Sequence, residues 1–443
     1  MENFRIESLE INKIGAFEHI KMDFPKKIDP EKAEIHILTG ENGTGKTTIL
    51  HLLSHCVPFE ESWLTEKFHS LRQSAFIIDA SLYDYHEKIK IDNKYFDNNL
   101  KNIDEEDLKL YFKNYADLPK ELLYYPEIGV FPFILFAYSG YRKLSDIESD
   151  GIKPLNENPL ENSLNFDKSI NPNLFVQWIA NTQSNYALNY LKLLENEGML
   201  EYTKFNKMFR EPLELIESII SQVIGQSMKF EVEGNRHEVK IRLDKNQTIP
   251  FNHLPDGLKS IISWIGDLLM RMDRIEWYDD KIDIFDRNFI LFLDEIEVHL
   301  HPAWQRKILP VVQKLFKNAQ IFISTHSPFV VGSVDGAWVH KLKKDGAYAV
   351  LDGEPVLSED AESYDTILEE IFGVKERFGI EIENKLVDFR KYTREILSGD
   401  ESNFHEWEET IEFFKNQRRP DEIMSLISPQ VRQINRILKQ VSA

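Results

Sequence analysis

Residues Gly40-Glu41-Asn42-Gly43-Thr44-Gly45-Lys46-Thr47 fit the pattern G-x-x-x-x-G-K-[ST], and their flanks decide how they are read. Glu34–Thr39 before them is a short apolar run of strand length. After them, Ile49, Leu50, Leu52 and Leu53 recur at helical spacing over Thr47–Cys56. Strand, glycine-rich loop and helix make the context in which this pattern binds phosphate. Glycine lets the backbone wrap an anion, so that several N–H groups and the helix N-terminus face it. Asn42, Gly43, Thr44, Gly45, Lys46, Thr47 and Thr48 are therefore the candidate nucleotide-binding residues. Lys46 brings a mobile positive charge to terminal phosphates, and the Thr47 hydroxyl is a candidate Mg2+ ligand. An incidental lysine in a glycine-rich turn would require neither flank.

Two more strand ends carry polar residues. Phe289–Leu293 is a fully apolar strand of the buried, parallel kind, and it delivers Asp294 and Glu295 to its C-terminal end. Ligands of open α/β sheets bind there. Asp294 is the candidate for the metal shell, and Glu295 for orienting or deprotonating an attacking water. Two acids ending a strand are by themselves usually a solvated strand end; a phosphate loop upstream reverses that weighing. Gln320–Ser324 is the other buried strand, and it ends in Thr325-His326-Ser327-Pro328. His326 there can donate to a γ-phosphate and sense its presence. Between the first two features, Leu254-Pro255-Asp256-Gly257-Leu258-Lys259 opens a helix over Ser260–Met272, whose Ile261, Trp264, Ile265, Leu268 and Leu269 share one face. Read locally, that opening is an N-terminal cap.

The remaining chain is less specific. Phe4–Ile11 alternates apolar and polar residues with one slip, and Phe17–Phe24 reads as its hairpin partner. Residues 59–230 read mostly as an insertion that interrupts the first domain. Within them Ala75–Tyr85 and Phe131–Tyr138 look like strands and Leu213–Ile224 like a helix; Lys229–Leu243 reads as a hairpin turning at Gly234-Asn235. Beyond residue 355 no buried strand is evident. Leu386/Phe389/Ile396 and Phe404/Trp407/Ile411/Phe414 predict helices with one apolar face each. The expected domains are residues 1–58 and 231–355 as two parts of one head, 59–230 as the insertion, and 356–443 as a helical tail.

Composition excludes several classes. The chain has 443 residues, 42% of them apolar, which suffices for a sizeable core. Its 53 basic and 74 acidic residues give a net charge of -21, which weighs against binding nucleic acid or an anionic membrane over the whole surface. Only a local basic groove would accommodate nucleic acid. The single cysteine, Cys56, rules out an internal disulfide framework and a cysteine zinc cluster. No apolar run spans a bilayer and the first residues carry no signal pattern, so a soluble, cytoplasmic protein is expected. Glu297, His299 and His301 alternate with apolar residues, but no third histidine has a diagnostic metal spacing. Lys415, Arg418 and Arg419 read as a solvated helix end.

The order Gly40–Thr47, Leu254–Lys259, Asp294-Glu295, Thr325-His326 resembles the ABC-type ATPase heads of the SMC and RecF group. The stretch Leu293-Asp-Glu-Ile-Glu-Val-His-Leu-His-Pro-Ala-Trp-Gln-Arg306, followed by Ser324–Pro328, is similar to stand-alone bacterial ATPases of anti-phage systems such as Septu and PARIS. Tyr138-Ser-Gly-Tyr-Arg142 is similar to an aromatic-glycine-arginine element of those proteins. The specific motifs cover residues 1–58 and 249–345; Tyr364–Arg377 and Arg418–Pro420 match more loosely.

The resemblance implies an α/β fold: an ABC-type P-loop ATPase head interrupted by an insertion, with a C-terminal α-helical region. It implies ATP and Mg2+ as cofactors, and a homodimer or higher oligomer through facing heads. Each head would sandwich ATP between its own phosphate loop and the partner's Leu-Ser-x-Gly segment. Gly257 and Lys259 would then reach the partner's nucleotide. Pro255 stands where that pattern has serine, and Asp256 adds a negative charge; the departure bears on hydrolysis more than on ATP-dependent dimerisation. No position matches the family's glutamine loop, although Ala137–Arg142 stands at a plausible place for it. A separate effector protein, often a nuclease, is implied, with this chain as sensor, scaffold or gate in anti-phage defence. The alternatives are a RecF-like repair ATPase that binds DNA and a nucleotide-dependent scaffold with negligible turnover.

Overall fold

The alternation at the N-terminus folds as a hairpin, in which β1 (Phe4–Ile14) pairs antiparallel with β2 (Phe17–Asp23) and sets Ile14 opposite Phe17. The structure is a computed structural model that describes residues 4–54, 75–82, 87–92, 96–97, 133–140, 153–166, 170–195, 211–233, 238–244, 247–275, 277, 281–359, 363–400 and 402–441. These divide into two units, Met1–Ile367 and Leu368–Ala443. The strand that leads into the phosphate loop is β3 (Glu34–Gly40). Beyond it, β4 (Ala75–Leu82) pairs with β1, and its register shifts between Ile6 and Ser8. That irregularity falls where the sequence alternation slips. One extra residue turns Leu9 and Ile11 back to the face that buries Ile6, and all three are fully buried. With β5 (Glu87–Asp92) and β6 (Phe96–Asp97) the sheet has the order β2-β1-β4-β5-β6.

The central sheet takes β3 and six later strands: β7 (Phe133–Tyr138), β11 (Asn288–Leu293), β12 (Ala319–Ser324), β13 (Trp338–Asp345), β14 (Tyr348–Leu351) and β15 (Val356–Leu357). Its order is β14-β13-β3-β12-β11-β7, with β15 also on β13. The pairs β13·β3, β3·β12, β12·β11 and β11·β7 are all parallel. Every residue of β12 and Phe289–Leu293 of β11 are buried, which is why Phe289–Leu293 and Ile321–Ile323 read as unbroken apolar runs. Because these strands point one way, the ends of β3, β7, β11 and β12 share one edge of the sheet. β7 comes from inside residues 59–230, yet it pairs with β11 from Phe133↔Asn288 to Tyr138↔Leu293. That part of the stretch read as an insertion belongs to the sheet itself. A separate antiparallel sheet holds β8 (Met228–Glu233), β9 (Glu238–Leu243) and β10 (Gln247–Pro250); its expected turn at Gly234-Asn235 lies outside the described residues.

A charged network sits inside the helix Asp256–Arg274. Asp267 is fully buried, and its Oδ2 accepts from the Tyr138 hydroxyl at 2.9 Å and from Arg271 Nε at 2.6 Å. Arg271 also donates to the carbonyls of Pro159 (2.6 Å) and Glu161 (2.9 Å). One carboxylate thereby ties the helix to the end of β7 and, through Arg271, to residues 153–166.

A second buried network lies at the start of β3. Glu34 Oε2 accepts from Arg5 Nε at 3.1 Å and Oε1 from Gln320 Nε2 at 2.8 Å, and His36 Nε2 lies 3.0 Å from that same Oε1. Burial alone would raise the Glu34 carboxyl; the bond to His36 and the Arg5 guanidinium outweigh it and hold the group at about 2. A carboxyl lowered from 4.5 to about 2 stabilises the fold fully above its unfolded value and loses that contribution as pH falls through about 2. Unfolding midpoints of Glu34→Gln measured from pH 7 to pH 2 should therefore approach those of the parent protein as acid is added. A gap that stays constant over that range would contradict the assignment.

In the second unit the helices Ile380–Leu397, Phe404–Lys415 and Pro420–Val441 share one core of Leu386, Phe389, Trp407, Phe414, Ile427 and Ile434, among others. The stripe Phe404/Trp407/Ile411/Phe414 thus faces its neighbouring helices, and Trp407 Nε1 donates to Thr393 Oγ1 at 2.9 Å. Among the described residues no helix is long and apolar enough to cross a membrane.

Candidate functional site

The phosphate loop is shaped by steric demand. Gly45 has φ +87°, and a Cβ there would come within 2.5 Å of Phe17 Cζ, so only glycine fits between the hairpin and the loop. Thr44 Oγ1 donates to the Glu41 carbonyl at 2.8 Å and closes the turn. Lys46 Nζ folds back on that turn, donating to the carbonyls of Gly40 (2.9 Å) and Glu41 (3.1 Å). Burial lowers the Lys46 ammonium from its ordinary value, against the pull of Asp294, Glu295 and Glu297. Asn42 and Gly43 are exposed and Thr48 is half-buried.

Three strand ends meet at Asp294. The Thr47 hydroxyl lies 2.9 and 3.1 Å from its two oxygens, and the Ser324 hydroxyl donates to Oδ1 at 2.5 Å. Ser324 Oγ in turn accepts from the Glu295 N–H at 2.8 Å. The Asp294 N–H donates to the Tyr138 carbonyl at 2.9 Å, which carries the β7 pairing one step further. Glu295 itself has φ +45°, in the left-handed region that non-glycine residues rarely enter. Gly140 makes room for it: a Cβ there would lie 2.8 Å from Glu295 Cβ and 3.1 Å from its Oε2. Tyr141 and Arg142 lie outside the described residues.

On the next strand end, Glu297 accepts from the Thr325 hydroxyl at 2.7 Å and from the His326 backbone N–H at 2.6 Å. Burial and Lys46 lower the His326 ring from its ordinary value, while Glu297 and Asp294 oppose them. The structure therefore brings Lys46, Thr47, Asp294, Glu295 and His326 to one sheet edge. Gly257 and Lys259 are not part of that cluster. They open the helix Asp256–Arg274 behind Pro255, which supplies no side-chain cap bond, and no hydrogen bond or ion pair joins them to residues 40–48 among the described residues. Nor do Glu297, His299 and His301 form a metal cluster; His301 Nδ1 instead accepts from the Ala303 N–H at 3.2 Å and caps the helix Pro302–Leu315.

Sequence reasoning quoted Ser324, Gly140 and Glu297 within longer stretches but missed the contacts they make here. The signal for Ser324 was present, since it ends an otherwise apolar strand beside the acidic pair. Nothing local announces Gly140 or Glu297, because each acts on a residue far away in the chain.

A sheet with a parallel core, a phosphate loop after β3 and an acidic pair after β11 is the arrangement of a P-loop nucleotide-binding domain. The chain belongs to the family described as "AAA domain, putative AbiEii toxin, Type IV TA system", which matches residues 35–332, about two thirds of its length. It is 24% identical over 329 residues to Septu protein PtuA of Bacillus thuringiensis, a match covering 74% of this chain and 72% of that one. It is 34% identical over 109 residues to the Retron Ec83 probable ATPase of Escherichia coli, covering 24% of this chain and only 20% of that protein. An SMC head crystallised with the C-winged helix domain of ScpA superposes with a TM-score of 0.42 at 12% identity, covering 80% of this chain and 98% of that one. A superposition that loose carries no weight beside the strand order.

Proposed function

We propose that the chain binds and hydrolyses ATP at this sheet edge and uses the nucleotide as a switch for a separate effector. The observation that carries the reading is the contact of the Thr47 and Ser324 hydroxyls with Asp294, whose charge is felt by the phosphate-loop lysine. In this reading Lys46 and the N–H groups of Asn42–Thr48 hold the phosphates, Glu295 activates the attacking water and His326 senses the γ-phosphate. The donor set suits Mg2+: the Thr47 hydroxyl and the Asp294 carboxylate are hard oxygens already in contact. When bound there, the ion would neutralise charge developing on the phosphates. Gly257 and Lys259, which make no hydrogen bond or ion pair with residues 40–48 among the described residues, would contact a second head's nucleotide in a homodimer or higher oligomer. The likeness to Septu protein PtuA over most of both chains supports a role in anti-phage defence with an effector such as a nuclease, in the cytoplasm.

Isothermal titration of ATP with Mg2+ tests the site. Lys46→Ala removes a charge-assisted contact and should weaken binding about ten- to a hundredfold. Unchanged affinity would overturn the reading. A second reading, a scaffold that binds ATP with negligible turnover, is favoured by Pro255 at the head of the helix Asp256–Arg274. Steady-state phosphate release separates the two.

A further inference from the structure

Glu297 follows the acidic pair by two residues, and its carboxylate is spent on the neighbouring strand end. Oε2 accepts from the Thr325 hydroxyl at 2.7 Å and Oε1 from the His326 N–H at 2.6 Å. Thr325 is fully buried, and its Oγ1 also accepts from the Ser327 N–H at 3.0 Å. Ser327 Oγ donates to Gln305 Oε1 at 2.6 Å, and Gln305 Nε2 donates to the Leu300 carbonyl at 2.9 Å. Residues 325–327 are thus pinned to the segment 297–305 at successive positions. The His326 side chain, by contrast, is only partly buried and makes no hydrogen bond among the described residues. Its direction is set by the backbone, and the backbone N–H is set by Glu297. A hydrogen bond to an ionised group is roughly twice as strong as a neutral one. A carboxylate merely ending a turn would point into solvent; this one makes two short bonds to adjacent residues.

We infer that Glu297 is a positioning residue that holds the Thr325-His326 backbone so that the His326 ring meets the γ-phosphate, and that this contact lets the site tell ATP from ADP. The inference rests on the role given to His326 under Proposed function. It also links that role to the segment running on to His301, so a shift of one loop would move the other.

The test is equilibrium binding of a non-hydrolysable ATP analogue and of ADP, each with Mg2+, to the full chain. The parent protein should prefer the triphosphate. Glu297→Ala should lose about tenfold of that preference, equivalent to about 1.4 kcal/mol. Its affinity for ADP should stay within about threefold, since the phosphate loop is untouched. Glu297→Gln should retain most of the preference, because its oxygen can accept from the His326 N–H while its amide donates to Thr325 Oγ1. Should Glu297→Ala fail to fold, Thr325→Val removes one of the two bonds at equal volume and should lose part of the preference. An unchanged preference in the folded alanine variant, or in Thr325→Val where it takes that variant's place, overturns the inference. So does a glutamine variant as impaired as alanine, which would mean that charge matters and position does not. Lys46→Ala keeps the two levels apart. If it leaves both affinities intact, the site itself is misread; if it weakens both while Glu297→Ala changes nothing, only the bridge falls. A parent protein that binds both nucleotides alike removes the role of His326 and the bridge with it.

Discussion

A Glu295→Gln protein is expected to bind ATP like the parent and to turn it over about 10²–10⁴-fold more slowly, the range for loss of a general base. The two carboxylates of the pair are not equivalent. Asp294 is engaged by two hydroxyls, from Thr47 and Ser324, and is suited to a metal shell. Glu295 is turned the other way by its left-handed backbone and lies against Gly140. Glutamine keeps the size and the hydrogen-bonding reach of glutamate but cannot take a proton at neutral pH. ATP-bound assemblies should therefore accumulate instead of cycling. Phosphate release measured beside light scattering, with and without ATP, tests both halves. Parent-like turnover in Glu295→Gln would remove Glu295 from the chemistry and leave the binding site standing.

The second large effect concerns the fold. Asp267→Ala should destabilise the first unit by about 3–5 kcal/mol, because it strands a buried guanidinium in apolar surroundings. Arg271 would keep its two carbonyl acceptors at Pro159 and Glu161 but lose its counter-charge, and the Tyr138 hydroxyl would lose its acceptor. Asp267→Asn, which still accepts a hydrogen bond, should cost less than alanine. Urea midpoints of the two variants test the order. An alanine variant as stable as the parent would show that the pair contributes nothing net. Exchanging Asp267 and Arg271 together for apolar residues of similar size should recover much of the loss, since it is the orphaned charge that is expensive.

The parts of the molecule legible in sequence were those whose signal is local. The flanks of Gly40–Thr47, the apolar runs of β11 and β12 and the slip in β1 each announce themselves within a dozen residues. The same holds for the placement of Asp294 and His326 just past strand ends and of Lys46 where the phosphate loop meets the next helix. β13 stayed hidden because Lys341, Lys343 and Lys344 break its apolar pattern toward an exposed C-terminal end. The helix Pro420–Val441 stayed hidden because Pro429 sits within it. Asp267 and Arg271, four apart on a helix, look like an ordinary solvated pair; only the packing of Tyr138 and residues 153–166 over them shows otherwise. Glu297 is the plainest case. Its partners lie 28 and 29 residues away, so no window of sequence contains the interaction.

The backbone of Glu295 carries a consequence for how such a protein changes over generations. A glutamate at φ +45° is held in a conformation that glycine or asparagine would occupy with less strain, a difference of about 1–3 kcal/mol at most. Ser324 grips its N–H and Gly140 clears its side chain, so the neighbours enforce the awkward geometry instead of relieving it. Under selection for heat tolerance alone, lineages would drift toward glycine or asparagine at this position, shedding the carboxylate as they hardened. A glutamate that persists at residue 295 across relatives of differing thermal habitat would thus be a record of turnover under selection, written in a residue that folding alone would discard.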